Sequence, residues 1–560
     1  MSRWPTALAI AGAALATTLV AARTQPADPA DLIVHNATIY TVDAKQPRAQ
    51  ALAVRGSRLV VVGSDADALA LRGPRTRVVD ARGRAVVPGL QDAHAHFTGL
   101  GTALQMLDLR STTSLEQILD RVRQQVAKAQ PGEWILGRSW DQNDWPEKAW
   151  PTHEALDRVA PANPVYLTRV DGHAAFANAK AMEVAGISAE TKDPDGGRLI
   201  RDAQGRPTGV FIDRAMGLVA SRIPPPSTRQ LEEQILLADA TTRALGLTMV
   251  HDAGVSSQIV EAYTRLFDAG RLKTRLYVML GMPLAQLRPY FEKGPVTNYA
   301  DHRLAVRAVK VVADGALGSR GAAMLAPYSD EPGTTGLLLL PPDEVYQVTL
   351  AAARAGFQTC IHAIGDRANR LALDTFERVQ GEVPAARALR LRNEHAQILD
   401  PAEIPRFARL GVIPSMQSTH ATSDMPWVPA RIGPERTAAG AYVWRKLMNT
   451  GVVIANGSDF PVEEPNPMFG LYAAITRRDR EGQPPGGWMA GERMTREEAL
   501  ASFTINAAYA AHAEADLGSL VPGKLADFVM LSDDVMQVPA PQILTTRSLL
   551  TVVGGEVVHE

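Results

Sequence analysis

The sequence is almost devoid of cysteine: Cys360 is the only one in 560 residues. No internal disulfide can form, no thiolate cluster can hold a metal, and no cysteine lies near the end of the N-terminal apolar stretch to carry a lipid anchor. An excess of charge of one sign is also missing. With 58 Lys and Arg against 60 Asp and Glu, the formal net charge is −2, which supplies no field for nucleic acid or anionic lipid and points to a small-molecule partner. Beyond the first 22 residues no apolar run is long enough to span a bilayer. No GxGxxG opens a helix after the first strand, which weighs against a dinucleotide-binding sheet.

What is present is apolar material for a large core, 46% hydrophobic against 21% charged, enough for more than one domain. At the N-terminus Arg3 precedes the apolar run Ala7 to Ala21, and small residues lead to Arg23. This reads as a signal peptide over residues 1–22, cut near Ala22, with a linker over 23–30. The alternative, an uncleaved anchor helix, needs about 20 apolar residues, more than the run provides. The expectation is an exported chain, periplasmic or extracellular, with no stable membrane anchor after cleavage and with a homodimer allowed.

Residues 31–87 read as short strands, LIVHNATIYTV, ALAVRGSRLVVVG and TRVVDARGRAVVPG, with no helix start signal between them. Residues 515–560 return to that style in LADFVMLS and LLTVVGGEVV, so the two ends are expected to close into one small β-sandwich domain. Between them a unit recurs: an amphipathic helix ends at glycine, and a β-rich run follows that finishes on a polar residue. The glycines are Gly246, Gly356, Gly411 and Gly451, each suited to the position after a helix. Further strands end at Leu280, Asp314 and His395. Helices alternating with buried strands predict a parallel α/β fold, and the count suits a (β/α)8 TIM barrel over residues 88–106 and 231–514. An open doubly wound sheet is the alternative. Residues 107–230 break the rhythm with one good helix, opened by Ser114 with Gln117 in capping-box spacing, and with loops rich in Trp, Asp, Pro and Gly. They read as an inserted lid.

The chemistry is concentrated at strand ends. In AVVPGLQDAHAHF, His94 and His96 stand two apart, so alternation sends both imidazoles to one face, where they can share a divalent ion. Later strands end on Lys310, His362, His395 and Asp459, and residues at the C-terminal ends of separate strands are how barrel enzymes build sites. Imidazole and carboxylate suit Zn2+ or another divalent transition metal. For each residue a purely structural reading stands beside the functional one. Lys310 could pair with Asp314, Asp459 could cap a helix in its GSD turn, and His173 could hold a loop. His251 could shape the HDAG turn, and Asp366 could cap a helix rather than orient His362.

The motifs PGLQDAHAH, SWDQNDW, RVDGHAAFAN, DPDGGRLIRDAQGRPTG, HDAG, VKVVADGALGSR, HAIGDRA, RNEHA, GSDFPVEEPNP and LGSLVPGKLADFVML together resemble the amidohydrolase superfamily, in its YtcJ-like branch, which includes N-substituted formamide deformylases. The resemblance implies a metal-dependent hydrolase acting on a small-molecule amide, with a metal-dependent-hydrolase barrel. It implies that His94 and His96 bind the more buried metal and His362 and His395 a second. Lys310, carboxylated, would bridge the two, and Asp459 would touch metal and act as general base and acid. His173 would reach the carbonyl oxygen. Read from the residues alone, Trp140, Asp141, His251, Gln417 and His420 are candidates to line the substrate pocket, with packing of the lid the alternative for the tryptophan. Where the branch often has hydroxyl residues, this chain has Ala316 and Gly321. The readings kept beside this one are a one-metal deaminase, a cyclic amide or ester hydrolase on the same scaffold, and a non-catalytic metal-binding or regulatory protein.

Overall fold

Strands buried on both faces are what a parallel sheet covered by helices requires, and the middle of the chain supplies them. The computed structural model describes residues 28–560; the leader expected at 1–22 and most of the linker lie outside the described residues. Eight strands run in parallel: β1 (Leu90–Ala95), β2 (Leu247–Val255), β3 (Arg275–Leu280), β4 (Leu304–Val312), β5 (Gln358–Ala363), β6 (Arg392–His395), β7 (Ile413–Gln417) and β8 (Ala455–Gly457). Each pairs with its neighbour in sequence. Every residue of β1, β3, β5, β6, β7 and β8 is buried. The barrel is nearly closed. At the seam between β8 and β1, Asp459 N donates to His94 O at 2.8 Å, and the Asp92 carboxylate accepts from Ser458 N at 3.1 Å and Ser458 Oγ at 2.6 Å. Gly457 makes this approach possible, because a Cβ there would lie 2.7 Å from His94 N.

The helices between strands follow local rules. Helix Thr228–Ala244 starts at a complete capping box, Ser227 with Gln230, and buries Leu231, Ile235, Ala238 and Thr242 at three- and four-residue spacing. It stops before Gly246, whose φ of +85° is the left-handed turn a side chain would strain. Before β8 the repeat predicts a helix across residues 441–450, and the observed one is only Trp444–Met448.

After β1 the chain leaves the barrel and builds a six-stranded sheet in the order Gly197–Arg201, Pro207–Asp213, Ala174–Ala177, Val165–Arg169, Ile135–Trp140 and Leu107–Asp108. Helix Leu115–Val126 packs Ile118, Leu119 and Val122 into its core. Ser114 caps that helix as expected, but the Gln117 side chain accepts from Thr113 N rather than from the cap residue, so the box is only half formed.

The two chain ends meet. A four-stranded sheet (Arg58–Gly63, Ala51–Arg55, Leu32–His35, Arg77–Asp80) shares a core with a six-stranded sheet in which Phe528–Leu531 pairs with Ala85–Pro88. One expectation fails here: a helix, Asp65–Leu69, interrupts the strands, capped by Ser64 accepting from Asp67 N. The Ser-Asp-Ala-Asp start signal is short and yields a helix of one turn. Arg275 of β3 ties this domain to the barrel through a buried two-point pair with Asp527, at 2.8 and 2.9 Å. Among the described residues no helix is long and apolar enough to cross a membrane.

Candidate metal centre

Alternation along β1 turns Asp92 and His94 inward together, and the chain leaves the strand at His96. What each imidazole can do is decided by its other nitrogen. His94 Nδ1 donates to the buried Glu394 carboxylate, His96 Nδ1 to Ala253 O at 2.9 Å, and His395 Nδ1 to Gln417 Oε1 at 2.8 Å. A carboxylate or carbonyl oxygen can only accept, so each Nδ1 carries the proton and each Nε2 keeps its lone pair. Burial, followed by the Lys310 charge, pulls His94 down to about 4. Burial takes His362 and His395 well below the ordinary histidine range, for His395 in spite of the nearby Asp459 carboxylate. Neutral imidazole is the form that binds metal.

The lone pairs converge. Ligand atoms of His94, His395 and Asp459 all lie within 4.8 Å of one another. Asp459 Oδ1 is 3.6 Å from His94 Nε2 and 3.2 Å from His96 Nε2, yet this buried oxygen has no hydrogen bond. A lone pair and a carboxylate at that separation repel unless a proton or a metal ion lies between them. Burial opposes ionisation of Asp459, but His96, His94 and His395 together outweigh it and hold the acid well below the usual carboxylate range. His362 stands beside His395, ring centroids 4.5 Å apart, with its Nε2 buried and without a partner. The donor set of imidazoles and a carboxylate, with unpartnered atoms facing inward, fits a divalent transition metal.

Lys310 Nζ donates to His94 Nε2 at 2.9 Å. It does not pair with Asp314, whose carboxylate accepts from Ala323, Ile364 and Gly365 backbone N–H groups at 2.8, 3.0 and 2.8 Å. Burial lowers the Lys310 pKa, against the pull of the Glu394 and Asp459 carboxylates.

Above the cluster is a cavity of about 480 Å³, lined from the barrel by His96, Lys310, His362, His395, His420 and Asp459 and from the inserted sheet by Asp141, Arg169 and His173. His173 comes within 5.3 Å of the His362 ring, centroid to centroid. Burial pulls its pKa down, but Asp213, with Asp171 and Asp314, outweighs this and raises it to about 9. His420 Nε2 lies 3.7 Å from Asp459 Oδ2, and Asp141 is held by Arg169.

Three residues expected at the pocket are not there. Trp140 is fully buried in the inserted sheet, stacked on Trp145 with its indole N–H on Leu167 O at 2.8 Å; it is core. His251 lies deep in the barrel against Arg392 at 3.0 Å, because it occurs midway along β2 rather than at its end. Gln417 faces His395 instead of substrate. Asp366 accepts from Leu325 N at 2.7 Å and makes no hydrogen bond to His362. Two residues escaped sequence reasoning: Glu394, which orients His94, and Arg392, which donates to Glu394 at 2.7 and 3.0 Å. Their signal was a charged pair two apart in a buried strand.

The amidohydrolase family model matches residues 77–559. The putative amidohydrolase YtcJ of Bacillus subtilis (strain 168) is 31% identical over 536 residues, 94% of this chain and 99% of that protein. The N-substituted formamide deformylase of Arthrobacter pascens is 28% identical over 544 residues, 95% of this chain and 98% of that protein. The crystal structure of an uncharacterized metal-dependent hydrolase from Pyrococcus horikoshii superposes with a TM-score of 0.73 at 27% identity, over 91% of this chain and 99% of that one.

Proposed function

The chain belongs to the amidohydrolase family and is a metal-dependent hydrolase, and we propose that the bond it cuts is a carbon–nitrogen bond of an amide or formamide type. The observation that carries this reading is the convergence of the His94 and His395 lone pairs with the Asp459 carboxylate beneath a cavity large enough for a small molecule. The relative in Arthrobacter named as a formamide deformylase supports the substrate class.

His94, His96, His362 and His395 would hold the metal, Zn2+ or a neighbour, with Asp459 touching it. When bound, such an ion lowers the pKa of water and polarises a carbonyl. Asp459, ionised, takes the proton of the attacking water and returns it to the departing amine. His173 Nε2 faces the position of the carbonyl oxygen. Lys310, if its amine added to CO2 with loss of a proton, would offer a carbamate as a further anionic ligand for the metal centre. The N-terminal apolar run supports export to the periplasm or beyond. A second reading has its own observation: the tight cluster has three ligands, which also suits one ion and hence a deaminase or a cyclic amide or ester hydrolase.

Metal analysis of the purified protein separates the two, with two ions per chain expected. A panel of formamides, N-acyl amino acids, lactams and esters, with amine or acid release measured, then identifies the bond. Asp459→Asn is expected to cost roughly 10²- to 10⁴-fold in turnover with an unchanged circular dichroism spectrum. A wild-type rate would reject the proton-transfer role.

A further inference from the structure

The inserted sheet does more than cover the barrel. Ala174–Ala177 runs antiparallel to Pro207–Asp213 with Ala174 opposite Ile212, and this register puts His173 beside Asp213, 40 residues apart in sequence. The two are joined twice. Asp213 N donates to His173 O at 2.9 Å, and His173 Nδ1 donates to Asp213 Oδ1 at 2.7 Å. His173 N in turn donates to Asp171 Oδ1 at 3.0 Å.

Asp213 bears marks of a residue held in place at a cost. Its φ is +49°, a strained value for a residue with a side chain. Its side chain is fully buried, and Oδ2 has no hydrogen-bond partner. Two glycines make room for that oxygen: a Cβ on Gly315 or on Gly321 would stand 2.6 Å from Oδ2. An acidic side chain kept in such surroundings needs a reason other than stability.

We propose that Asp213 is the positioning residue for His173: its carboxylate accepts from Nδ1–H and fixes the ring orientation, so that a protonated Nε2 is aimed into the cavity, where it donates to the substrate carbonyl. The inserted domain thereby supplies one half of the site and the barrel the other. This rests on the hydrolase reading above.

Two measurements test it. The first is a double-mutant cycle on the zinc-loaded enzyme with the best panel substrate. Asp213→Ala and His173→Ala each lower kcat by roughly 10²-fold with KM little changed, and the double variant is no slower than His173→Ala alone. A double variant slowed by the product of the two single factors overturns the coupling. The second needs no turnover: proton NMR of the zinc-free protein, following the low-field imidazole N–H resonance that disappears in His173→Gln. Asp213→Ala removes it, and the isosteric Asp213→Asn, whose oxygen accepts without charge, moves it to higher field. A resonance unmoved in both variants overturns the proposal. Loss of the resonance with no hydrolysis of any panel substrate upholds the pairing and rejects the hydrolase reading instead.

Discussion

Replacing Glu394 by Gln tests whether the centre is held from behind. The carboxylate serves two donors at once, His94 Nδ1 and the Arg392 guanidinium. A Gln amide has one accepting end. If its oxygen faces His94, its NH2 confronts the Arg392 donors. If its NH2 faces His94, the imidazole must shift its proton to Nε2, and the lone pair directed at the metal is lost. In either orientation His94 is a poorer ligand, and loss of such an orienting partner costs about 10- to 100-fold in metal affinity, about 1.4 to 2.7 kcal/mol. The change also strips Arg392 of its counter-charge in a fully buried position, and breaking a buried pair costs about 3–5 kcal/mol of stability. Gln417→Leu separates the two effects, since it removes the His395 acceptor without leaving a charge; roughly tenfold weaker binding is expected. The assay is zinc competition against a chromophoric chelator, with urea unfolding of the metal-free proteins alongside. Wild-type zinc affinity in both variants would refute the claim that these acceptors set the ligand tautomers.

Lys310→Ala is expected to lower the metal bound per chain, measured by atomic emission; unchanged stoichiometry would reject the bridge. Asp527→Ala leaves Arg275 uncompensated between barrel and terminal domain and should destabilise by about 3–5 kcal/mol, read from the urea midpoint, whereas an unchanged midpoint would mean that the pair does not tie the two together. N-terminal sequencing of the secreted protein is expected to begin near Arg23, and a sequence starting at Met1 would count against the signal peptide.

Much of this architecture was legible in the amino-acid order. Glycine-terminated helices followed by buried strands announced the barrel, and polar residues at strand ends announced where His94, His96, His395 and Asp459 would meet. Depth was not legible. Periodicity says which face a residue takes but not how far along the barrel axis it lies, so His251, in mid-strand, was expected four residues too near the mouth. Trp140 was misjudged because tryptophan beside aspartate reads alike in a pocket loop and in a small core. Gln417 was expected to meet substrate because it ends a strand, yet the neighbouring strand brought His395 within its reach first. Asp213 carries no motif at all. Only the pairing register of two strands, which depends on loops of unequal length, sets it against His173.

The seam at Gly457 has a consequence for how the protein matures. His94 belongs to the first strand of the barrel and Asp459 follows directly on the last, so the ring must shut before these two ligands share a neighbourhood. An ion held by both residues would span the first and last strands of the barrel, adding a cross-link to the hydrogen bonds that already close the seam.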